Sequence, residues 1–420
     1  MEKEKIILGE NCCYSLDSNE TGLNNNVLVC GGSGSGKTMS IIEPRLIETK
    51  KSSLIVTVSK RRIVDKYIPL FKKRGYEILD LNFVNPQEST CAYDPLEYVE
   101  SYADITFLAK SIVKADQQKD HSIADPYWDE AATSLLSAEI AYTLMTKDNA
   151  TFADVLTLND NLTLDEDGSM LKTSLDAKFK YIASKDPTCF AVSCWKSFKT
   201  LPIKTASCVY GTLNTTIDTI FSPEIREMME MKKKVDFEQM ATKKTILFVT
   251  TSAVNPALHS FANMFYAQAF KQLFEYAESR PDGVLPIPVH VLCDDFATGS
   301  RILNFPEFIS IFREKQISVT LLIQSESQLE QMYGTSNATT IINNCDSYVY
   351  LGGMDLRTAQ NISLRLNAPL DEVLYMPIGQ ELLFRRGQRP VNTRRYNIQE
   401  NDVYKKVTAD YNKRLESQER

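Results

Sequence analysis

Val27-Leu-Val-Cys30-Gly31-Gly32-Ser33-Gly34-Ser35-Gly36-Lys37-Thr38 is the stretch on which the fold is decided. Four apolar residues running straight into a Gly/Ser loop predict a buried strand. From Gly31 to Thr38 the loop satisfies G-x-x-x-x-G-K-[ST] at every required position. Its glycines let successive backbone N–H groups turn inward around an anion at the head of a helix. Lys37 is then expected to reach the β- and γ-phosphates, and the Thr38 hydroxyl to ligate Mg²⁺. A Gly/Ser linker matching by chance would lack the flanking strand and helix. Here both are predicted, with Met39–Glu48 reading as a helix that Pro44 kinks or stops. The ligands implied are ATP and Mg²⁺.

Outward from the loop, Leu54–Val58 and Tyr76–Leu81 read as buried strands, with a helical stretch Arg61–Arg74 between them and Gly75 as its cap. Strand alternating with helix predicts an α/β fold, a P-loop NTPase with a mainly parallel sheet. From about residue 98 the spacing becomes helical: Ala103–Lys114, Trp128–Thr146, Thr151–Leu158, Leu171–Ala183, Thr188–Lys199 and Lys204–Phe221. Strands return at Thr245–Thr250, Val289–Cys293, Ser318–Ile323 and Ser347–Leu351, with a long helix Pro256–Ser279 among them. The expected organisation is a first nucleotide-binding part over 1–96, an all-helical domain over 97–232, a second nucleotide-binding part over 233–400, and a charged tail over 401–420 that is a solvated helix or disordered.

The strand Val289–Cys293 ends in Asp294-Asp295. Asp294 is placed to hold the Mg²⁺ shell, and Asp295 to polarise an attacking water; a solvated loop acid or helix cap is the plain alternative for Asp295. Motor ATPases usually carry Glu at this second position. Asp is one methylene shorter, and a misplacement of about 1 Å costs on the order of 10²-fold in rate, so slow hydrolysis is expected. Gln324 ends the strand Ile317–Gln324, where a polar side chain can sense the γ-phosphate or simply face solvent. Arg313, just before that strand, is a candidate arginine finger for a neighbouring subunit, or a cation favoured at a helix C-terminus.

Composition narrows the class without choosing within it. The chain has 420 residues, 43% hydrophobic and 24% charged, as in an ordinary globular protein. No run approaches the roughly 18 uncharged apolar residues of a membrane helix, and Met1–Ile6 is too charged for a signal peptide; a cytoplasmic protein is expected. Nine scattered cysteines without a C-x-x-C pair, and three histidines, argue against a zinc site or a disulfide scaffold and for buried small hydrophobes. His290, inside a strand, reads as a buried, hydrogen-bonded core residue. Hydrolase and kinase signatures (G-x-S-x-G, H-E-x-x-H, H-R-D) are absent. A net charge of −7 argues mildly against coating of DNA by the whole surface and leaves a local basic channel open.

The blocks His290-Val-Leu-Cys-Asp-Asp-Phe-Ala297, Phe312-Arg-Glu-Lys-Gln-Ile-Ser-Val319, Leu322-Ile-Gln-Ser-Glu-Ser-Gln-Leu329 and Tyr333-Gly334 resemble the type IV secretion coupling proteins, the TraG/TraD-type conjugation ATPases. Asn344-Cys-Asp346, Tyr350-Leu-Gly352, Asp355 and Thr358-Ala359 continue the likeness. Upstream, Asn24–Val29, Gly75-Tyr76, Tyr93-Asp-Pro-Leu96 and Asp125-Pro-Tyr-Trp128 share it, so that it spans about residues 7 to 395. The resemblance implies a RecA-like domain interrupted by an all-helical domain. It further implies a homo-hexameric ring that recruits and pumps DNA, in single-stranded form, or a DNA–relaxase complex, to a secretion channel. In that setting Gln324 is the nucleotide sensor and Arg313 the arginine offered to the next subunit.

Three positions depart from the family. Val58-Ser-Lys60-Arg-Arg62 stands where Asp-Pro-Lys-Gly-Glu is usual, so Lys60 is given no role; Asp294-Asp295 replaces Asp-Glu; and the usual membrane helices do not stand in this sequence, as in a truncated form or in a natural soluble one that reaches the inner face of the membrane through a partner. Two other readings compete: a related DNA-pumping ring outside conjugation, and an adaptor that binds ATP without hydrolysing it. Lys178, Lys180, Lys185, Lys196, Lys199 and Lys204, with Trp195 and Phe198 among them, form either a solvated face over a helical core or a surface for single strands.

Overall fold

The computed structural model describes residues 4–115, 126–167, 170–252, 255–298 and 300–418. Asp125 of the block Asp125–Trp128 lies outside them. The strands are β1 (Lys5–Ile7), β2 (Cys13–Ser15), β3 (Val27–Cys30), β4 (Ser53–Val58), β5 (Glu77–Asn82), β6 (Leu164–Asp167) and β7 (Met170–Thr173). They continue as β8 (Thr245–Thr250), β9 (Val289–Cys293), β10 (Ile317–Ile323), β11 (Ser347–Tyr350), β12 (Gln380–Arg385) and β13 (Val391–Arg394).

Nine of these strands form one sheet in the order β13-β12-β11-β3-β10-β9-β4-β8-β5. From β11 to β5 every pairing is parallel, and the β12–β13 hairpin adds an antiparallel edge. Alternation along the strands divides the core in two. Val27, Val29, Leu54, Val56 and Phe248 point into one apolar cluster, while Leu28, Cys30, Ile55, Leu247 and Val249 point into the other. A sheet covered on both faces needs such near-continuous apolar strands. The second cluster extends into the helices between Tyr102 and Met229.

Several blocks quoted for the family resemblance meet in space. The Asn26 side chain is fully buried; its Oδ1 accepts from Val319 N at 3.0 Å and its Nδ2 donates to the Asn344 carbonyl at 2.9 Å. Asn24 N donates to Asp346 Oδ2 at 2.8 Å. These bonds brace the amino-terminal ends of β3, β10 and β11, the base from which the phosphate loop projects. Asp94 likewise caps the turn after it and accepts from Phe152 N at 3.1 Å, tying the helical segment to the sheet. His290 is buried with its Nδ1 against the Ser318 hydroxyl.

The structure corrects the sequence reading in two places and decides between its alternatives in two more. Residues 97–232 are not wholly helical: β6 and β7 pair antiparallel, and the helix expected over Leu171–Ala183 begins only at Asp176. The polar run Leu164–Asp167 carries no apolar alternation by which to read it. The tail is the solvated helix rather than disordered: Asp402–Gln418 is a mostly exposed helix that rests on the helix Arg61–Lys73, with Val407 buried, Arg414 Nη2 donating to Asp65 O at 2.8 Å, and Lys66 3.6 Å from the Tyr404 ring centroid. Trp195 is 5% exposed and stacked on Phe179 at 4.4 Å, and Phe198 is fully buried, so these aromatics form core and are not a platform for bases. Finally, Cys13 and Cys208 are exposed, whereas Cys12, Cys30, Cys91, Cys189, Cys293 and Cys345 are buried as expected.

Candidate nucleotide site

The phosphate loop leaves β3 at the carboxyl edge of the sheet, between the ends of β10 and β11. Gly31 N donates to Ile323 O (3.1 Å) and Gly32 N to Gly352 O (3.0 Å), so both neighbouring strands hold it. Gly34 and Gly36 have φ of 74° and 82°, a region that side chains with a Cβ avoid. At Gly31 space decides instead: a Cβ would lie 2.7 Å from Ser35 Oγ and 2.9 Å from Leu351 Cβ. The expected kink after the loop is a π-helical turn, Thr38–Ile42, which runs into an α-helix Glu43–Glu48. Pro44 has no N–H to give Ser40 O, and Glu43 N bonds to Thr38 O.

Lys37 folds back over this loop, donating from Nζ to the carbonyls of Gly31 (2.6 Å) and Gly32 (3.2 Å). Burial lowers its pKa, opposed by Asp295 and then Asp294. The Thr38 hydroxyl donates to Asp294 Oδ2 at 3.1 Å. Asp294 is pushed up to about 6 by burial and by Asp295 beside it, against the Thr38 bond and the charge of Lys37. The buried Ser35 Oγ has no partner. Thus one lysine, one hydroxyl, one carboxylate and an orphaned hydroxyl converge around a ring of backbone amides. Among the described residues no group of three His, Cys, Asp or Glu side chains could hold a metal. A hydroxyl with one carboxylate fits Mg²⁺, whose remaining ligands at such sites are phosphate oxygens and water.

Asp295 sits on a left-handed turn, φ 51°, because the chain reverses to bury Phe296, whose N donates to Leu322 O at 2.8 Å and whose ring stacks on Tyr333. The charge of Asp295 is felt by Lys37 and by His259, a residue that no motif singles out. His259 Nε2 bonds to Ser252 O at 2.8 Å; burial lowers its pKa, opposed by that bond and by Asp295. Gln324 is exposed at the tip of β10, one residue beyond the Ile323↔Cys30 pair and therefore abreast of Gly31. Arg313 is not brought to this site. It is exposed on the helix Phe305–Lys315, which precedes β10 and so stands at the opposite edge of the sheet, beside a groove lined by Glu4, Lys51 and His290.

The family model described as type IV secretory system conjugative DNA transfer matches residues 1–368. The chain belongs to that family. Solved structures agree in fold at low identity. The coupling protein TrwB in complex with the non-hydrolysable ATP analogue ADPNP is similar with a TM-score of 0.69 at 14% identity, over 94% of this chain and 90% of that one. The bacterial conjugative coupling protein TrwBdeltaN70 in complex with sulphate gives 0.65 at 15%, over 90% and 86%. VirB4 of Thermoanaerobacter pseudethanolicus gives 0.57 at 11%, over 96% and 99%. A comparison with curated proteins finds no match. The fold shared with these structures is the RecA-like P-loop ATPase fold. This conjugative DNA-transfer protein has, among its described residues, no helix long and apolar enough to cross a membrane.

Proposed function

We propose that this chain is an ATP-hydrolysing motor that couples DNA, or a DNA–relaxase complex, to a secretion channel. The observation that carries the reading is the Thr38–Asp294 contact at 3.1 Å, within the loop that holds Lys37. On this reading the amides from Gly32 to Thr38, with Ser33, Ser35 and the glycines between them, cradle the phosphates. Lys37 exchanges its two carbonyl partners for phosphate oxygens. Thr38 and Asp294 would hold Mg²⁺, which would supply positive charge to offset that of the phosphates. Asp295 orients the attacking water, and Gln324 contacts the γ-phosphate from the strand tip. Arg313, at the far edge of the sheet, completes a neighbour's site in a homo-hexamer. Single-stranded DNA, relaxase and channel proteins are the partners, met at the inner face of the membrane.

The test is steady-state ATP hydrolysis with and without single-stranded DNA, beside Lys37→Ala and a sizing run. DNA-stimulated turnover that follows the assembled ring and vanishes in the variant is expected. Tight ATP binding without turnover in any assembly state overturns the motor. That outcome favours the second reading, a non-hydrolysing adaptor, whose support is the short Asp295 side chain on its left-handed turn.

A further inference from the structure

Beyond the P-loop motif, one cation approaches the phosphate loop from the far end of the sequence. Arg395 follows β13, and its backbone N donates to Gly379 O at 2.9 Å. Its Nη2 donates to Leu351 O at 3.0 Å. Leu351 begins the stretch that docks on the loop, since the next carbonyl, Gly352 O, accepts from Gly32 N, and Gly353 Cα lies 3.8 Å from where a Cβ on Gly32 would be. The other terminal nitrogen, Nη1, lies 3.6 Å from the position of a Cβ on Gly36, the residue before Lys37.

Two features set this guanidinium apart from a structural clamp. Its buried Nε has no hydrogen-bond partner, so the head group is only partly engaged. Behind it lies Glu381, fully buried, with neither carboxylate oxygen hydrogen-bonded. Burial pushes the Glu381 carboxyl up to about 8, with the charge of Arg395 opposing that rise. A carboxyl raised so far is mostly protonated at neutral pH, so it leaves the charge of Arg395 largely unneutralised and open to an anion. Arginine binds phosphate through paired N–H groups in a fixed fork, which a lysine does not reproduce.

We propose that Arg395 is a second cationic ligand of the bound polyphosphate, supplied by the same chain and held near Gly36 by its bonds to the Leu351 and Gly379 carbonyls before the nucleotide arrives. The inference rests on the phosphate-loop reading of Gly31–Thr38. It adds a contact from the β12–β13 hairpin, so that phosphate binding reports on the position of the sheet's antiparallel edge. Nucleotide then ties together β3, the Leu351–Gly353 stretch and the end of β13.

The test uses the full chain with ATP and with inorganic tripolyphosphate, in wild type, Arg395→Gln, Arg395→Lys and Lys37→Ala, with the thermal midpoint of each nucleotide-free protein measured alongside. Arg395→Gln is expected to weaken both ligands about tenfold or more, the range for a hydrogen bond to a charged group. Arg395→Lys should recover part of that loss, and the nucleotide-free midpoints should stay close to wild type. Wild-type affinity in Arg395→Gln together with lost binding in Lys37→Ala overturns the proposal and leaves the phosphate loop standing. Wild-type affinity in Lys37→Ala is the separate failure of the phosphate-loop reading. Equal losses in the Gln and Lys variants, accompanied by equal falls in midpoint, make Arg395 a structural residue and overturn the proposal too.

Discussion

Replacing Asp294 by Asn should make the nucleotide-free protein more stable while removing its response to Mg²⁺. Burial and the neighbouring Asp295 raise the Asp294 carboxyl from its ordinary 3.8 to about 6. At neutral pH the folded chain therefore carries an ionised group that the unfolded chain accommodates better, a penalty of roughly 3 kcal/mol. Below pH 3.8 the carboxyl is protonated in both states and the penalty vanishes. Between about pH 4 and 6 the unfolded chain ionises first, so the folded state loses stability as pH rises, and above that window the full penalty stands. Asn keeps an oxygen to accept the Thr38 hydroxyl, now at 3.1 Å, and never ionises. Denaturant unfolding in EDTA should show the variant ahead by up to about 3 kcal/mol at pH 7 and level with wild type near pH 4. With Mg²⁺ and ATP the order should reverse, since only the wild type gains binding energy. A variant equal to or less stable than wild type at pH 7 in EDTA would refute the reasoning.

Two further outcomes follow from packing and charge away from the site. Glu4 is raised by burial but brought down further, to about 2, by Arg45, the Ser52 hydroxyl and the amides of Lys51 and Lys50. It stabilises the fold above its ordinary 4.5 by roughly 3 kcal/mol and loses that as pH falls toward 2; the wild-type advantage over Glu4→Gln, followed by denaturant titration, should therefore shrink toward zero on acidification. Trp195→Ala should cost about 3–5 kcal/mol by leaving a hole against Phe179, whereas Lys196→Ala and Lys204→Ala, both exposed, should stay within about 0.5 kcal/mol on chemical unfolding.

The parts of the fold legible in the sequence are those whose signal is local. The strand before Gly31 and the helix after Lys37 announce themselves within a dozen residues, and so does the apolar run ending at Asp294. The helical character of most of 97–232 is legible for the same reason. What escapes is contact between distant segments. Nothing around Asp295 marks a left-handed turn, because its cause is Phe296 finding Tyr333. Nothing near Arg395 says that it lies beside a loop more than three hundred residues earlier, and nothing near His259 says that it feels the charge of Asp295. Trp195 and Phe198 look alike as core or as binding surface until Phe179 is seen against them. Spacing alone leaves that choice open, since an amphipathic helix shows the same pattern either way.

The position of β3 has a bearing on how the molecule is made. Val27–Cys30 leaves the ribosome well before both of its sheet neighbours, Ile317–Ile323 and Ser347–Tyr350, which follow it by nearly three hundred residues or more. The phosphate loop thus has no walls while the intervening residues are being translated, and pairings of such long sequence separation form slowly. Nascent fragments that stop short of Ile317 should not sequester ATP, and an exposed Val-Leu-Val-Cys strand with empty flanks is the kind of segment that needs chaperone protection until those neighbours are made.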